Sequence, residues 1–245
     1  MEIVPENIQV TPNSIAIVGW EDGGPGQVHS WLEKATGYHI ACFVNPSNEP
    51  PHVNIEYERN RREAKNFNYP AKDSFKGQPL VTSLNWADVL LNLGINKVLV
   101  MTNDNRERLK NIELAKEKGL EFISAIHPSA LILEDALIHD NVIIYARATV
   151  GYRAEVHSGA VLNTNAQIDH HNVLYKCVRI DPGVVTAGNV TLHECATVHT
   201  GAVIINKIRV GADAVIGAGS VVIRDVPDKA TVIGVPGKEM KKEEN

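Results

Sequence analysis

The first half of the chain alternates short apolar runs with helical patterns. SIAIVG at 14–19 is followed by GQVHSWLEKAT, the strand-like HIACFVN at 39–45, PLVTS, the helix pattern NWADVLLNLG, the strand KVLVMT at 97–102, the helix NDNRERLKNIELAKEKG and the strand EFISAI. Near-continuous apolar runs separated by amphipathic stretches predict a small parallel sheet with flanking helices, since a strand covered on both faces has no polar side to present. From Ile126 the grammar changes to a period of six. Ile126, Ile132, Ile138, Ile144, Val150, Val156, Leu162, Ile168, Leu174, Ile180, Thr186, Leu192, Val198, Ile204, Val210, Ile216 and Val222 hold one frame, and sixteen of the seventeen are aliphatic. Two places before each, from 130 to 220, Ala occurs nine times and Val four times, with Asn172, Ile208 and Ser220 as the exceptions.

Such a frame predicts a solenoid. Each hexad supplies a short strand, its aliphatic residue points to the axis, and the small residue fits the tight corner. Three hexads complete one coil, so residues 18 apart stack at the ~4.8 Å spacing of neighbouring strands, as a parallel sheet with apolar rungs inside. Cys177 and Cys195 are 18 apart, and are expected to be small packed neighbours.

These patterns divide the chain into a Rossmann-like α/β domain at 1–124, a β-helix at 125–226, and a C-terminal turn and tail at 227–245 that leaves the frame after Val222. The stretch from Asn45 to Gly77 is longer than an ordinary connection and poor in aliphatics. Its Arg59, Arg61, Arg62 and Lys65 are interleaved with Glu56, Glu58 and Glu63, which reads as a solvated helix, with a substrate-facing flap as the alternative.

Composition narrows the function. The 245 residues are 44% hydrophobic and 22% charged, an ordinary globular balance, and 24 Lys+Arg against 29 Asp+Glu leave −5, with no basic field for a nucleic-acid backbone. No apolar run approaches the roughly 18 residues of a membrane span, and MEIVPENIQV lacks a signal-peptide layout, so a cytoplasmic protein is expected. Cys42, Cys177 and Cys195 form no CxxC pair and read as reduced thiols.

AIHPSA at 125–130, IDHHN at 168–172, AGNV at 187–190, IGAGSVVIRDVP at 216–227 and IGVPGKEM at 233–240 resemble the bacterial sugar acyltransferases of the left-handed parallel β-helix, hexapeptide-repeat family that contains bacillosamine N-acetyltransferases and sialic acid O-acetyltransferases. The resemblance spans nearly the whole chain, and left-handedness comes from it alone, since parallel crossovers are generally right-handed. It implies a homotrimer with active sites between subunits, acetyl-CoA along the groove, no metal, and an N-terminal domain that holds a nucleotide-linked sugar. His170 matches the catalytic histidine, whose chemistry is proton removal from an amine or hydroxyl adding to a thioester. Asp169 is placed to hold or charge the ring, and His171 stands where several members carry an acid. Gly188, 18 residues after His170, is expected to offer its N–H to the oxyanion. Thr200, Gly201, Gly217, Ala218, Gly219, Pro236 and Lys238 are the expected CoA contacts. Gly19, Gly23, Gly24 and Gly26, in a turn reading GWEDGGPG, have the layout for presenting N–H groups to a diphosphate ahead of a helix near Gln27. Asn45, at the end of the second strand, replaces an acid that often meets the uridine or ribose.

The resulting expectation is N-acetyl transfer from acetyl-CoA to a nucleotide-linked amino-dideoxy sugar, with UDP as the expected nucleotide. O-acetylation of a sialic acid is the same chemistry on a hydroxyl. A zinc-dependent hydratase built on His157, His193 and His199, and a non-catalytic trimeric scaffold, are the readings from other classes.

Overall fold

The structure, a computed structural model, describes residues 2–21, 23–51 and 70–240. The charged segment with Arg59, Arg61, Arg62, Lys65, Glu56, Glu58 and Glu63 lies outside the described residues. The chain divides into two compact units, Met1–Ile123 and Ser124–Asn245.

In the first unit, β1 (Ser14–Val18), β2 (His39–Asn45), β4 (Gln78–Thr82), β5 (Lys97–Val100) and β6 (Glu121–Phe122) pair in parallel, and the short β3 (Ser74–Phe75) joins one edge antiparallel, giving the order β3-β4-β2-β1-β5-β6. All five residues of β1 are buried, as its unbroken apolar run demands. The order reverses at β1, so the crevice beyond β1 and β5 is the topological switch point at which such sheets take ligands. The helices are α1 (Pro25–His29), α2 (Leu32–Thr36), α3 (Trp86–Asn92) and α4 (Asn105–Glu117). The single helix expected over GQVHSWLEKAT is two, because the Ser30 hydroxyl donates to the Gln27 carbonyl at 2.6 Å and competes with the helical ladder. Asp104 caps α4, its carboxylate accepting the Glu107 N–H at 2.8 Å.

The second unit is a left-handed parallel β-helix with three walls. The first wall runs from Ala125–Ile126 through Ile143–Ile144, Val161–Leu162, Arg179–Ile180, Thr197–Val198 and Val215–Ile216 to Thr231–Ile233; the second from Leu131–Ile132 to Val221–Val222; the third from Leu137–Ile138 to Arg209–Val210. Register is 18 residues from Ala125 to Val222, as in Ile144 on Leu162 and Thr186 on Ile204. The hexad aliphatics and the alanines two places earlier fill the axis together, which is why large and small residues alternate in the frame. From Asp135 onward the second residue of the corner turns carries positive φ, among them Asn165, His171, Cys177, Asn189 and Cys195. The first wall continues past Val222. One coil is shortened to 16 residues, Val215 pairing with Thr231 and Ile216 with Val232, so residues 227–233 continue the helix instead of forming a separate tail.

The buried thiols agree with the reading of reduced cysteines. Cys42, Cys177 and Cys195 are buried and lie outside any disulfide, and burial pushes the Cys42 thiol up to about 12. A thiol reagent at neutral pH is therefore expected to leave all three untouched in native protein and to find three after denaturation. A fast-reacting native thiol would contradict this packing.

Candidate active site

His170 lies on the corner between the second and third walls, and Gly188 occupies the same corner one coil later. A Cβ built on Gly188 would run into His170 Cε1 and Nε2, and would stand 2.9 Å from Nδ1. The Cε1–Nε2 edge of the ring therefore lies directly over the glycine. The φ of Gly188 is outside the left-handed region, so the backbone does not require glycine here; the neighbouring ring does. Gly188 is the first residue of its corner turn. Its N–H meets no acceptor among the described residues, because the β-helix uses the second turn residue for the coil-to-coil bond, as when the Asn189 N–H donates to the His170 carbonyl at 3.0 Å. The fold thus leaves a backbone donor beside an imidazole edge.

Asp169 does not meet the His170 ring. Its carboxylate accepts the backbone N–H of His170 at 2.7 Å, a corner cap, so the expected ring contact is corrected. The ring's partner is His171, Nδ1 to Nδ1 at 3.0 Å. Under the corner sit two of the exceptions to the hexad frame, Asn172 and Thr186. Asn172, fully buried, donates through Nδ2 to the Asp169 carbonyl at 2.8 Å, Thr186 Oγ1 at 2.9 Å and the Ala187 carbonyl at 3.1 Å, and accepts the Val190 N–H. It ties the His170 turn to the Gly188 turn. Gly151, on the coil before, supplies the remaining closeness: a Cβ there would lie 2.7 Å from the His170 nitrogen. Replacing Asn172 with Leu is expected to orphan these buried backbone groups and to destabilise the fold by about 2–3 kcal/mol, read as a lowered midpoint of urea unfolding. An unchanged midpoint would show that the amide holds nothing.

The expected CoA contacts mostly share one corner column. Thr200 and Gly201 stand above Ala218 and Gly219, the Gly219 N–H donating to the Thr200 carbonyl at 2.9 Å. Pro236 lies in the closing turn, held by the Gly234 N–H on Ser220 Oγ and the Gly237 N–H on the Val221 carbonyl, and Lys238 opens the short strand after it, paired antiparallel with Ile233. Gly217 stands apart from the column, and a Cβ there would meet Ile233 Cγ2 at 2.7 Å. This column borders one edge of the second wall and the Gly188 corner the other, with exposed Val185, Val203, Ile205 and Ile223 between.

In the first unit the glycine-rich turn is folded on itself. The Gly19 N–H donates to the Val44 carbonyl and the Gly26 N–H to the Glu21 carbonyl, and a Cβ on Gly19 would lie 3.0 Å from Pro25 Cγ. The helix begins at Pro25, two residues before Gln27, and the Gln27 N–H bonds the Gly24 carbonyl. Gly23 is exposed, and a Cβ added there would meet nothing within 4 Å. Asn45 is buried, its amide donating to the Glu49 carbonyl at 2.8 Å and to Thr82 Oγ1. It braces the loop after β2.

The histidines of the zinc reading do not converge within the chain. His157 and His193 are two coils apart with Tyr175 stacked between them, at 5.2 and 5.1 Å, while His199 is on the first wall bonded to Asp181 at 2.8 Å. Another group, His139, Glu155 and His157, does bring ligand atoms within 4.8 Å among the described residues. Its two imidazoles, however, are stacked at 4.5 Å with planes only 10° apart. An imidazole nitrogen binds in its ring plane, and nearly parallel offset planes leave no shared point for one ion. Burial lowers the His157 pKa against the pull of Glu155. A cavity of about 370 Å³, lined by His193, Arg209, Gly211, Asp225 and Asp228 among others, is at the far edge of the third wall from His170.

No family model matches the chain. Solved structures do. PerB of Caulobacter crescentus, in complex with CoA and GDP-perosamine, is 27% identical over 95% of this chain and 100% of that one, with a TM-score of 0.79. The acetyltransferase domain of PglB from Neisseria gonorrhoeae, in complex with acetyl coenzyme A, is 28% identical over 93% and 99%, with a TM-score of 0.75. WeeI from Acinetobacter baumannii shares the fold at 16% identity and a TM-score of 0.62, over 92% and 99%. The resemblance drawn from the sequence therefore holds in three dimensions: this chain's structural neighbours include a perosamine N-acetyltransferase and an acetyltransferase domain that binds acetyl coenzyme A.

Proposed function

We propose that this chain is an acetyl-CoA-dependent N-acetyltransferase acting on the amine of a nucleotide-linked amino-dideoxy sugar. The observation that carries the reading is the His170 ring edge lying over Gly188, whose N–H has no acceptor among the described residues. A thioester carbonyl placed at that N–H has its developing oxyanion stabilised, and an amine approaching the carbonyl carbon meets His170 Nε2. The new C–N bond forms as Nε2 takes the amine proton; the C–S bond then breaks and the proton passes to the thiolate. No covalent enzyme intermediate is needed. The apolar strip of Val185, Val203, Ile205 and Ile223 leads from Gly188 toward the Thr200–Gly219 column, a path suited to the pantetheine arm, with Lys238 toward the phosphates. A homotrimer would close this strip with a second subunit. Among the described residues no helix is long and apolar enough to cross a membrane, and the proposed site of action is the cytoplasm.

The nucleotide is expected to be UDP by the sequence resemblance, while the Caulobacter neighbour holds GDP-perosamine. The test is thiol release from acetyl-CoA with UDP-, dTDP- and GDP-linked 4-amino sugars, and sialic acid as the hydroxyl acceptor. Turnover with one amino sugar is the expected result. Turnover with sialic acid alone would replace this reading by O-acetylation, and a folded protein that binds no acetyl-CoA would favour a scaffold.

A further inference from the structure

His170 must present an unprotonated Nε2 to act as base, and something has to hold its proton on Nδ1. Asp169 is unsuited, since its carboxylate holds the backbone N–H of its neighbour. The atom facing Nδ1 is His171 Nδ1, at 3.0 Å with the rings at 84°. His171 is itself fixed. Its backbone is left-handed at φ 56, its N–H donates to the Tyr152 carbonyl at 2.9 Å, and its ring meets the Tyr152 ring edge-on at 5.8 Å. Arg153 lies over the outer face of Tyr152 and pairs with Asp135 at 3.3 Å.

Two nitrogens at this distance share one proton. If it belonged to His171, His170 would be protonated on Nε2, over Gly188, and useless as a base. We infer that His171 is a positioning residue: its Nδ1, unprotonated, accepts from His170 Nδ1–H and so fixes the reactive tautomer. The inference rests on His170 being the base. It has a consequence that a carboxylate in this place would not have. An imidazole whose Nδ1 is protonated no longer accepts, whereas a carboxylate keeps a second oxygen free. Other charged groups along this corner, among the described residues, are Asp169, bonded to backbone, Glu134, whose carbonyl accepts the Arg153 N–H, the Arg153–Asp135 pair behind Tyr152, and Lys207 on the coil after Gly188, whose N–H meets the Gly188 carbonyl. None of these contacts takes the place of His171 at the His170 ring.

The experiment compares wild type with H170A, H171A and H171N on the acceptor that turns over. Asparagine offers Oδ1 near the place of His171 Nδ1, cannot be protonated there, and tolerates the left-handed backbone. H171A is expected to lose kcat by about tenfold or more with little change in KM for acetyl-CoA, and H171N to regain most of it. On the acid side, log kcat of wild type should fall more steeply than that of H171N, by about one unit of slope, the acceptor's own ionisation being common to both. Wild-type kcat in H171A, or parallel acid limbs in wild type and H171N, would overturn the inference while leaving the base intact. An unaffected H170A would instead remove the reading beneath it. Should H171A fail to fold, the slope comparison stands by itself.

Discussion

Replacing His170 with alanine is expected to reduce kcat for amino-sugar acetylation at pH 7 by about 10²–10³-fold, within the range of a lost general base. The loss is not expected to become a folding defect, because the ring is exposed and, among the described residues, hydrogen-bonds only the neighbouring His171 ring. The loss should shrink as pH rises. An alkyl ammonium acceptor becomes the free, nucleophilic amine in alkali and then depends less on a base, whereas a hydroxyl acceptor gains nothing comparable. Kinetics of the variant between neutral and alkaline pH thus test the base and the acceptor type together. Full activity at pH 7 would remove His170 from the chemistry.

Gly188→Ala is expected to cost a similar factor, about 10²–10³ in kcat, by moving the imidazole and crowding the oxyanion position at once. The added Cβ would collide with the Cε1–Nε2 edge of His170. That ring is the far end of an exposed side chain and can swing away, so the fold survives and the geometry does not. Gly159→Ala makes the contrast. Gly159 has φ 76 on a corner between the third and first walls, where alanine costs about 1–2 kcal/mol of stability by backbone strain with no expected effect on kcat. Circular dichroism melting alongside initial rates separates the two. Equal activity losses in both variants would mean that Gly188 acts only as a corner.

The β-helix was legible because its frame is a repeated physical constraint: one aliphatic per hexad must fill the axis, and a small residue must accompany it. The same frame flagged Thr186 and Asn172 as exceptions, yet not that they touch; that needed the 14-residue separation between them to be folded across a corner. His170 and Gly188 could be paired from the 18-residue coil. Asp169 could not be excluded from the ring in this way, since adjacency in sequence does not say whether a carboxylate turns to the side chain or to the backbone N–H beside it. Gly151 was missed for a related reason. Glycines at 183, 201 and 219 answer to positive φ, and nothing in the sequence distinguishes them from one required by a neighbour's bulk. In the first unit, five parallel strands followed from apolar runs, but the turn after β1 did not. Whether its N–H groups face a ligand or its own carbonyls depends on a path that glycines leave open.

The central claim is acetyl transfer to nitrogen at the His170–Gly188 corner. The measurement that tests it most directly is the structure of the product, by mass and by NMR of the carbon bearing the acetyl group, from acetyl-CoA and the nucleotide-linked amino sugars. The account predicts one added acetyl group in amide linkage at the sugar amine, formed by wild type and strongly reduced in the Gly188→Ala enzyme. An ester on a sugar hydroxyl, or an amide formed equally well by the variant, would contradict it.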